Sequence, residues 1–175
     1  MPHQTVTHAY LGLGSNMGDG PANLRRALEL LDAVPGLSVE AVSPVFRTEP
    51  QGLTDQDWFA NCAARIRLDG TWTPETLLDA TSGIETAMGR VRTVVWGPRV
   101  IDIDILLLDG CERRSDRLQI PHPRMCERAF VLVPLMHLAP ELRIRGLTPS
   151  QWLSRLTYSV EGDLIRQPAN PFRGE

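Results

Sequence analysis

The sequence predicts an α+β sandwich of the split-βαβ, ferredoxin-like kind, with a mostly antiparallel sheet and helices on both sides. Three observations predict it. Segments with two-residue or 3.6-residue apolar spacing follow one another as strand, helix, strand, strand, helix, strand. Pro, Gly and capping residues fall between these segments. The 175 residues, 42% of them hydrophobic, suffice for one sizeable core but not for two independent ones. A single domain is therefore expected over residues 1–175, ordered at about 8–160 and loose at 1–7 and 167–175.

Residues 8–15 read as the first strand, which carries Gly12 and Gly14 and runs into a polar turn at Asn16, Gly18 and Asp19. A helix follows from about Pro21, with Leu24, Leu28 and Leu31 at helical spacing, and Pro35 and Gly36 end it. Alternation over residues 37–46 predicts a second strand. Residues 47–57 hold Pro50 and Gly52 and little periodicity, which predicts a long loop of the kind that carries function. Over residues 58–68, Ala60, Cys62, Ala64, Ile66 and Leu68 make one face, while Phe59, Asn61, Ala63, Arg65 and Arg67 share the other.

Thr73 and Pro74 have the chemistry of an N-cap and first helical residue, opening a helix with Leu77, Thr81, Ile84 and Met88 in its stripe and Gly89 at its end. Residues 90–99 form a second loop, with Arg90, Arg92, Trp96 and Arg99. Residues 100–108 are mainly β-branched and Leu residues, without Gly or Pro, and predict a strand. After a turn at Asp109 and Gly110, a short strand is expected at 118–120, mostly helix over 123–136, and a last short helix from Thr148 with Trp152 and Leu156 facing in.

The strand at 100–108 carries the most chemistry. Asp102 and Asp104 are two positions apart, so both carboxylates emerge on one face with Cα atoms roughly 6.5 Å apart, at about 3.3 Å per residue. Ile101, Ile103, Ile105 and Leu107 are expected on the other face, in a core. Two like charges on an apolar strand repel and resist desolvation, and a divalent cation would compensate both. Arg90, Arg92 and Arg99 precede the pair, and His122 and Arg128 follow it. A metal-bound polyphosphate needs this mixture, the metal bridging carboxylates to phosphate oxygens while Arg forks neutralise the rest.

Phe59 and Asn61 share a strand face beside the 47–57 loop, where a flat heterocycle could stack on the ring while the amide reads its edge. Gly12 and Gly14 lack the third glycine of a dinucleotide fingerprint, and there is no Walker Gly-Lys-Ser/Thr, so any nucleotide would be held without a P-loop.

Bulk properties narrow the classes. Net charge is −3, which advertises neither nucleic-acid nor membrane binding, and the chain has no lysine, so all 18 permanently cationic side chains are arginines. No apolar run reaches membrane-spanning length, the first residues are polar, and the three cysteines lack metal-ligand spacing. A cytoplasmic monomer acting on small molecules is expected, with neither nucleic acid nor membrane as partner. The alternative is a non-catalytic ferredoxin-like ligand- or RNA-binding module. An RNA module needs aromatics on adjacent central strands and a basic surface, and the Asp102 strand has no aromatic residue.

Several motifs together resemble the 6-hydroxymethyl-7,8-dihydropterin pyrophosphokinase family of folate biosynthesis. They are the run from Tyr10 to Asn16; Thr48, Glu49 and Pro50 with Phe59, Ala60 and Asn61; and Glu85 through Gly89, Arg90, Val91 and Arg92. Trp96, Gly97, Pro98 and Arg99 lead into Asp102, Ile103 and Asp104, and Pro121, His122, Pro123 and Arg124 run through Arg128 and Phe130. The match runs in the family's order from about residue 9 to 142.

The resemblance implies transfer of the diphosphate of ATP, as co-substrate, to the pterin hydroxymethyl group, with release of AMP. It implies two Mg²⁺ ions on Asp102 and Asp104, with Arg90 and Arg92 joining that pair as catalytic residues. Arg90, Arg92, Arg99, His122 and Arg128 would contact phosphates, with Glu85, Trp96 and Ile105 on the nucleotide side. The pterin would lie between Phe59 and Phe130, read by Asn61 and by the backbone at Thr48 and Gly52, with Asp102 beside it. The chain departs from the family's usual residues at Ser82 (commonly Gln), Val95 (frequently basic), Cys126 (usually polar or basic) and His137 (frequently Glu).

Overall fold

The computed structural model of the protein describes residues 6–50, 55–91 and 97–169. Strand β1 (Thr7–Ser15) lies between β4 (Phe59–Leu68) and β5 (Asp102–Leu108), antiparallel to both. Between β1 and β4 come helix α1 (Gly20–Asp32) and strands β2 (Leu37–Val42) and β3 (Phe46–Thr48), which lie end to end along the other edge of β4. Helix α2 (Pro74–Ala87) links β4 to β5. The fold is thus α+β, with a seven-stranded sheet that also includes β8 (Ser159–Glu161) and β9 (Leu164–Arg166). A two-stranded ribbon, β6 (Arg113–Arg114) and β7 (Gln119–Ile120), stands apart.

Helix starts follow local chemistry. The Asp19 carboxylate accepts from Ala22 N at 3.0 Å to cap α1, and Thr73 and Thr76 form a reciprocal capping box on α2. Gly89, at φ +88, takes the left-handed conformation that ends α2 and turns Arg90 back, so that Arg90 N bonds Glu85 O at 3.0 Å.

Each sheet face has its own core. Leu24, Ala27 and Leu31 of α1 and Leu77 and Ile84 of α2 cover Leu11, Cys62, Ile66 and Ile103 on one face. On the other, a 3₁₀ turn (Met125–Glu127), α3 (Ala129–Leu138) and α4 (Pro149–Leu153) pack Met125, Leu132, Leu135 and Leu153 over Tyr10, Phe46, Ala63 and Leu106. Cys126 is buried in this second core, and the His137 ring tilts against Phe46 with centroids 5.3 Å apart.

Several expectations need correcting. The strand expected over 37–46 stops at Val42, because Pro44 offers no N–H to continue the ladder, and it resumes at Phe46. Arg47 and Thr48, expected in a loop, are therefore strand residues. Leu107 does not join Ile103 and Ile105: register slips by one residue, Tyr10 facing Leu107 while Leu11 faces Ile105, so the extra Leu106 turns both itself and Leu107 to the second core. Helix is expected from 123, but the extended Arg128 (φ −116, ψ 108) separates the 3₁₀ turn from α3. Finally, Thr7 is already in β1, and Gln167, expected at the start of a loose tail, is hydrogen-bonded to the backbone at Glu127 and Ala129.

No helix among the described residues is long and apolar enough to cross a membrane.

Candidate active site

Two rungs of the sheet set out the site. Gly14 of β1 faces Asp102 of β5 on one side and Asn61 of β4 on the other; Gly12 likewise faces Asp104 and Ala63. Residues directly opposite share a sheet face, so both aspartates stand over a strip that has lost its central side chains. A Cβ on Gly14 would come within 2.7 Å of Asn61 Oδ1. The glycines that resemble an incomplete dinucleotide fingerprint thus make a flat floor between an amide and two carboxylates.

A cavity of about 560 Å³ opens over this floor, and Thr48, Phe59, Asn61, Asp102 and Phe130 line it. Asn61 is buried and donates from Nδ2 to Thr48 Oγ1 at 2.6 Å. The Arg128 guanidinium lies over the Phe130 ring, 5.5 Å from its centre. A second cavity of about 300 Å³ is lined by Leu78, Ser82, Glu85, Arg90 and His122. The two cavities share Arg99, Asp102, Asp104 and Arg128. The acidic pair therefore stands where an aromatic, amide-lined chamber meets an arginine-lined one.

The charges are tightly arranged. Asp102 accepts from Arg90 Nη1 at 2.7 Å and from Arg99 Nη1 at 2.6 Å. Arg90 also bonds Glu85, whose other oxygen accepts from Ile103 N at 2.8 Å, so this nearly buried carboxylate ties α2 to β5. Burial raises the Glu85 carboxyl, and the Ile103 N–H and Arg90 work against that rise. Asp104 makes no ion pair among the described residues; burial, reinforced by the Asp102 charge and opposed by Arg128, pushes its carboxyl up to about 7. A carboxylate left short of positive charge beside one already paired with two arginines is a place for a cation.

The register slip at Leu106 has a use: its carbonyl accepts from His122 N at 2.9 Å, holding His122 beside β5. Burial and the nearby Arg128 push the His122 imidazole down to about 4. His122 Nδ1 accepts from Arg124 N at 3.2 Å, so the neutral ring carries its proton on Nε2. His122 is thus a hydrogen-bond donor in the second cavity and not a cation.

The structure brings Glu85, Arg90, Arg99, Asp102, Asp104, His122 and Arg128 together around one junction, with Thr48, Phe59, Asn61 and Phe130 on its other side. The Ile105 side chain, 4% exposed, turns into the first core as alternation predicts, and it lines neither cavity. Gly52, Arg92, Val95 and Trp96 lie outside the described residues.

Sequence reasoning missed the work of Asn16. Its Oδ1 accepts from Arg99 N at 2.8 Å and its own N–H bonds Arg99 O at 3.0 Å. Its Nδ2 donates to Gln56 Oε1 and Asp57 O, at 2.9 and 3.0 Å. One buried amide so fastens the approaches to β4 and β5. A polar residue directly after a buried strand was the available signal. Arg124, Glu127 and Gln167 also line the larger cavity and were not singled out.

Comparison with known proteins bears on this geometry. A family model described as 7,8-dihydro-6-hydroxymethylpterin-pyrophosphokinase matches residues 10–140. A Methylorubrum extorquens protein named 2-amino-4-hydroxy-6-hydroxymethyldihydropteridine pyrophosphokinase is 52% identical over 151 residues, covering 86% of this chain and 94% of that one. A Bacillus subtilis protein of the same name is 42% identical over 134 residues, covering 77% and 79%. Among solved structures, wild-type Plasmodium falciparum HPPK-DHPS with pterin and p-hydroxybenzoate superposes with a TM-score of 0.67 at 15% identity, covering 94% of this chain and 47% of that one. This chain spans less than half of that longer protein, and the likeness speaks for the fold alone.

Proposed function

This chain belongs to the 7,8-dihydro-6-hydroxymethylpterin-pyrophosphokinase family, and from that premise we propose that its cleft moves the β,γ-diphosphate of ATP onto the hydroxymethyl oxygen of 6-hydroxymethyl-7,8-dihydropterin, releasing AMP, in folate biosynthesis. The observation that carries the reading is the shared wall of the two cavities, Arg99, Asp102, Asp104 and Arg128. The pterin fits the chamber of Phe59, Asn61 and Phe130, and the triphosphate fits the one of Arg90, Arg99 and His122. The oxygen–phosphorus bond forms at the junction, the bond from β-phosphorus to the oxygen of AMP breaks, and the hydroxyl proton is released to water.

Asp102 and Asp104 would hold two Mg²⁺ ions. Among the described residues no third His, Cys, Asp or Glu completes a cluster with them, which suits a hard cation that takes its remaining ligands from phosphate and water. When bound, the ions supply positive charge against the β- and γ-phosphates. The protein's own part is positioning and charge. Arg90 and Arg99 are held on Asp102 and exchange that carboxylate for phosphate oxygens as the nucleotide enters, while Glu85 keeps Arg90 in place. His122 donates from Nε2, Arg128 spans both chambers, and Arg92 and Trp96 are assigned to the nucleotide by family resemblance. Asn61 reads the pterin edge with Thr48 as its support, the Gly52 backbone is assigned there by the same resemblance, and Asp102 borders the pterin.

The frame β1-α1-β2-β4-α2-β5, with strands ordered β5-β1-β4-β2, supports the split-βαβ, ferredoxin-like description, and two cores on one sheet support a single domain. The same proposal places the protein in the cytoplasm as a monomer without nucleic-acid or membrane partners. The RNA-binding alternative is not favoured, because the strand that would present bases carries two carboxylates into the cavity.

Nucleotide chromatography after incubation with ATP, the pterin and Mg²⁺ tests the reading. AMP should accumulate one-for-one with the pterin diphosphate. ADP as product, or no turnover of ATP, would overturn it.

A further inference from the structure

The segment after residue 140 lies beyond the family match, yet it closes the larger cavity. Its hairpin docks on β3 by parallel pairing, Arg47 opposite Leu164 and Thr48 opposite Ile165, with Ile165 2% exposed in the second core. Arg47 N donates to Asp163 O at 2.7 Å, and the Arg47 guanidinium pairs with the Asp163 carboxylate at 3.1 Å. Two residues past Ile165, Gln167 reaches across to the opposite wall. Its Oε1 accepts from Ala129 N and its Nε2 donates to Glu127 O, both at 2.8 Å.

Those two backbone groups flank Arg128 and lead into Phe130. The N-cap of α3, Arg128, offers no side-chain cap of its own, so Gln167 satisfies an N–H at the helix start from 38 positions away. Gln167 also lines the cavity that holds Asn61 and Phe130.

We propose that Gln167 is a positioning residue for the pterin chamber. It ties the wall bearing Arg128 and Phe130 to strand β9, and β9 is bonded to the wall bearing Thr48, so the gap between the two walls is fixed by a residue beyond the stretch that the family model matches. The inference rests on the proposed function for the identity of the ligand. A Gln placed directly after β9 can reach both groups flanking Arg128 at once; a shorter or apolar side chain cannot.

The test is Gln167→Leu, assayed by steady-state kinetics in both substrates and by fluorescence titration with the pterin alone. Loss of two backbone hydrogen bonds should weaken pterin binding and raise the pterin KM about ten-fold. The ATP KM should stay within about two-fold, while the thermal midpoint falls only by what the two lost backbone bonds cost. Gln167→Glu, which keeps the acceptor at the α3 N-terminus, should recover part of the loss. Unchanged pterin affinity overturns the proposal. So does an equal loss for both substrates with a lowered thermal midpoint, which would make Gln167 a fold residue only. If Gln167→Leu does not fold, Gln167→Asn, one methylene too short to span both groups, carries the same expectation and the same refutations. A parental protein that binds the pterin but releases no AMP would instead count against the function reading, while the titration still decides the role of Gln167.

Discussion

Asn61 and Asp102 stand on one rung of the sheet with only Gly14 between them. The amide proposed to read the pterin edge and the carboxylate proposed to anchor cations are thus fixed by backbone pairing rather than by loops. The missing side chain at Gly14 leaves the floor between them open, as the proposed function requires.

Gly14→Ala should therefore damage the site locally. Its new methyl would press on Asn61 Oδ1, and the amide would shift off Thr48. The pterin KM should rise about ten-fold or more and stability should fall by about 1–3 kcal/mol, as for other overpacked positions. Kinetics with varied pterin, together with urea denaturation, measure both; parental values would show that the floor is not needed.

Asn16 gives a paired prediction. Asn16→Ala removes the acceptor for Arg99 N and the donor to Gln56 and Asp57, at a cost of about 1–3 kcal/mol in stability for the part-buried hydrogen bonds lost. KM should rise for both substrates. Asn16→Asp keeps the acceptor for Arg99 N but loses the donor, so it should affect the pterin KM more than the ATP KM. Equal effects of the two variants on the two substrates would refute the division of labour.

Asp104→Ala should lower kcat by about two to three decades, equivalent to about 3–4 kcal/mol of transition-state stabilisation. Fold stability should not fall with it, because the variant removes a carboxylate that lacks an ion pair among the described residues. Turnover at parental speed would reject its role with the cation.

Two opposed pH effects follow from the junction in the ligand-free, chelator-treated protein. The Asp104 carboxyl is raised to about 7, so the folded state holds a proton the unfolded chain has released, and stability falls as pH rises from about 4 to 7. The His122 imidazole is lowered to about 4, so the unfolded chain binds the extra proton, and stability rises with pH over about 4 to 6.5. The two partly cancel in the parental protein. Thermal melts across pH should show Asp104→Asn gaining stability as pH rises from about 4 to 6.5 and His122→Phe losing it as pH rises from about 4 to 7; parallel profiles for the two variants would contradict the assignment.

Much of this site was legible in the chain because its key pairs are two positions apart: Asp102 with Asp104 and Phe59 with Asn61 share faces by alternation alone. The helix starts were legible from Asp19 and from Thr73 with Pro74, whose chemistry is local. The slip at Leu106 left no trace, since Ile105, Leu106, Leu107 and Leu108 are uniformly apolar and any of them could face either core. The hydrogen bonds of Asn16 left no local signal, because its partners lie 40 to 83 positions away. The hairpin at β8 and β9 did have a signal, Gly162 at φ +61 beside Asp163, but its strands are too short for alternation to show.

A crystal structure with Mn²⁺, a non-hydrolysable ATP analogue and the pterin, with anomalous scattering locating the metal, addresses the central claim most directly. Manganese peaks are expected within bonding distance of both Asp102 and Asp104, between the triphosphate and the pterin hydroxymethyl group. Manganese elsewhere, or a triphosphate lying away from the two carboxylates, would contradict it.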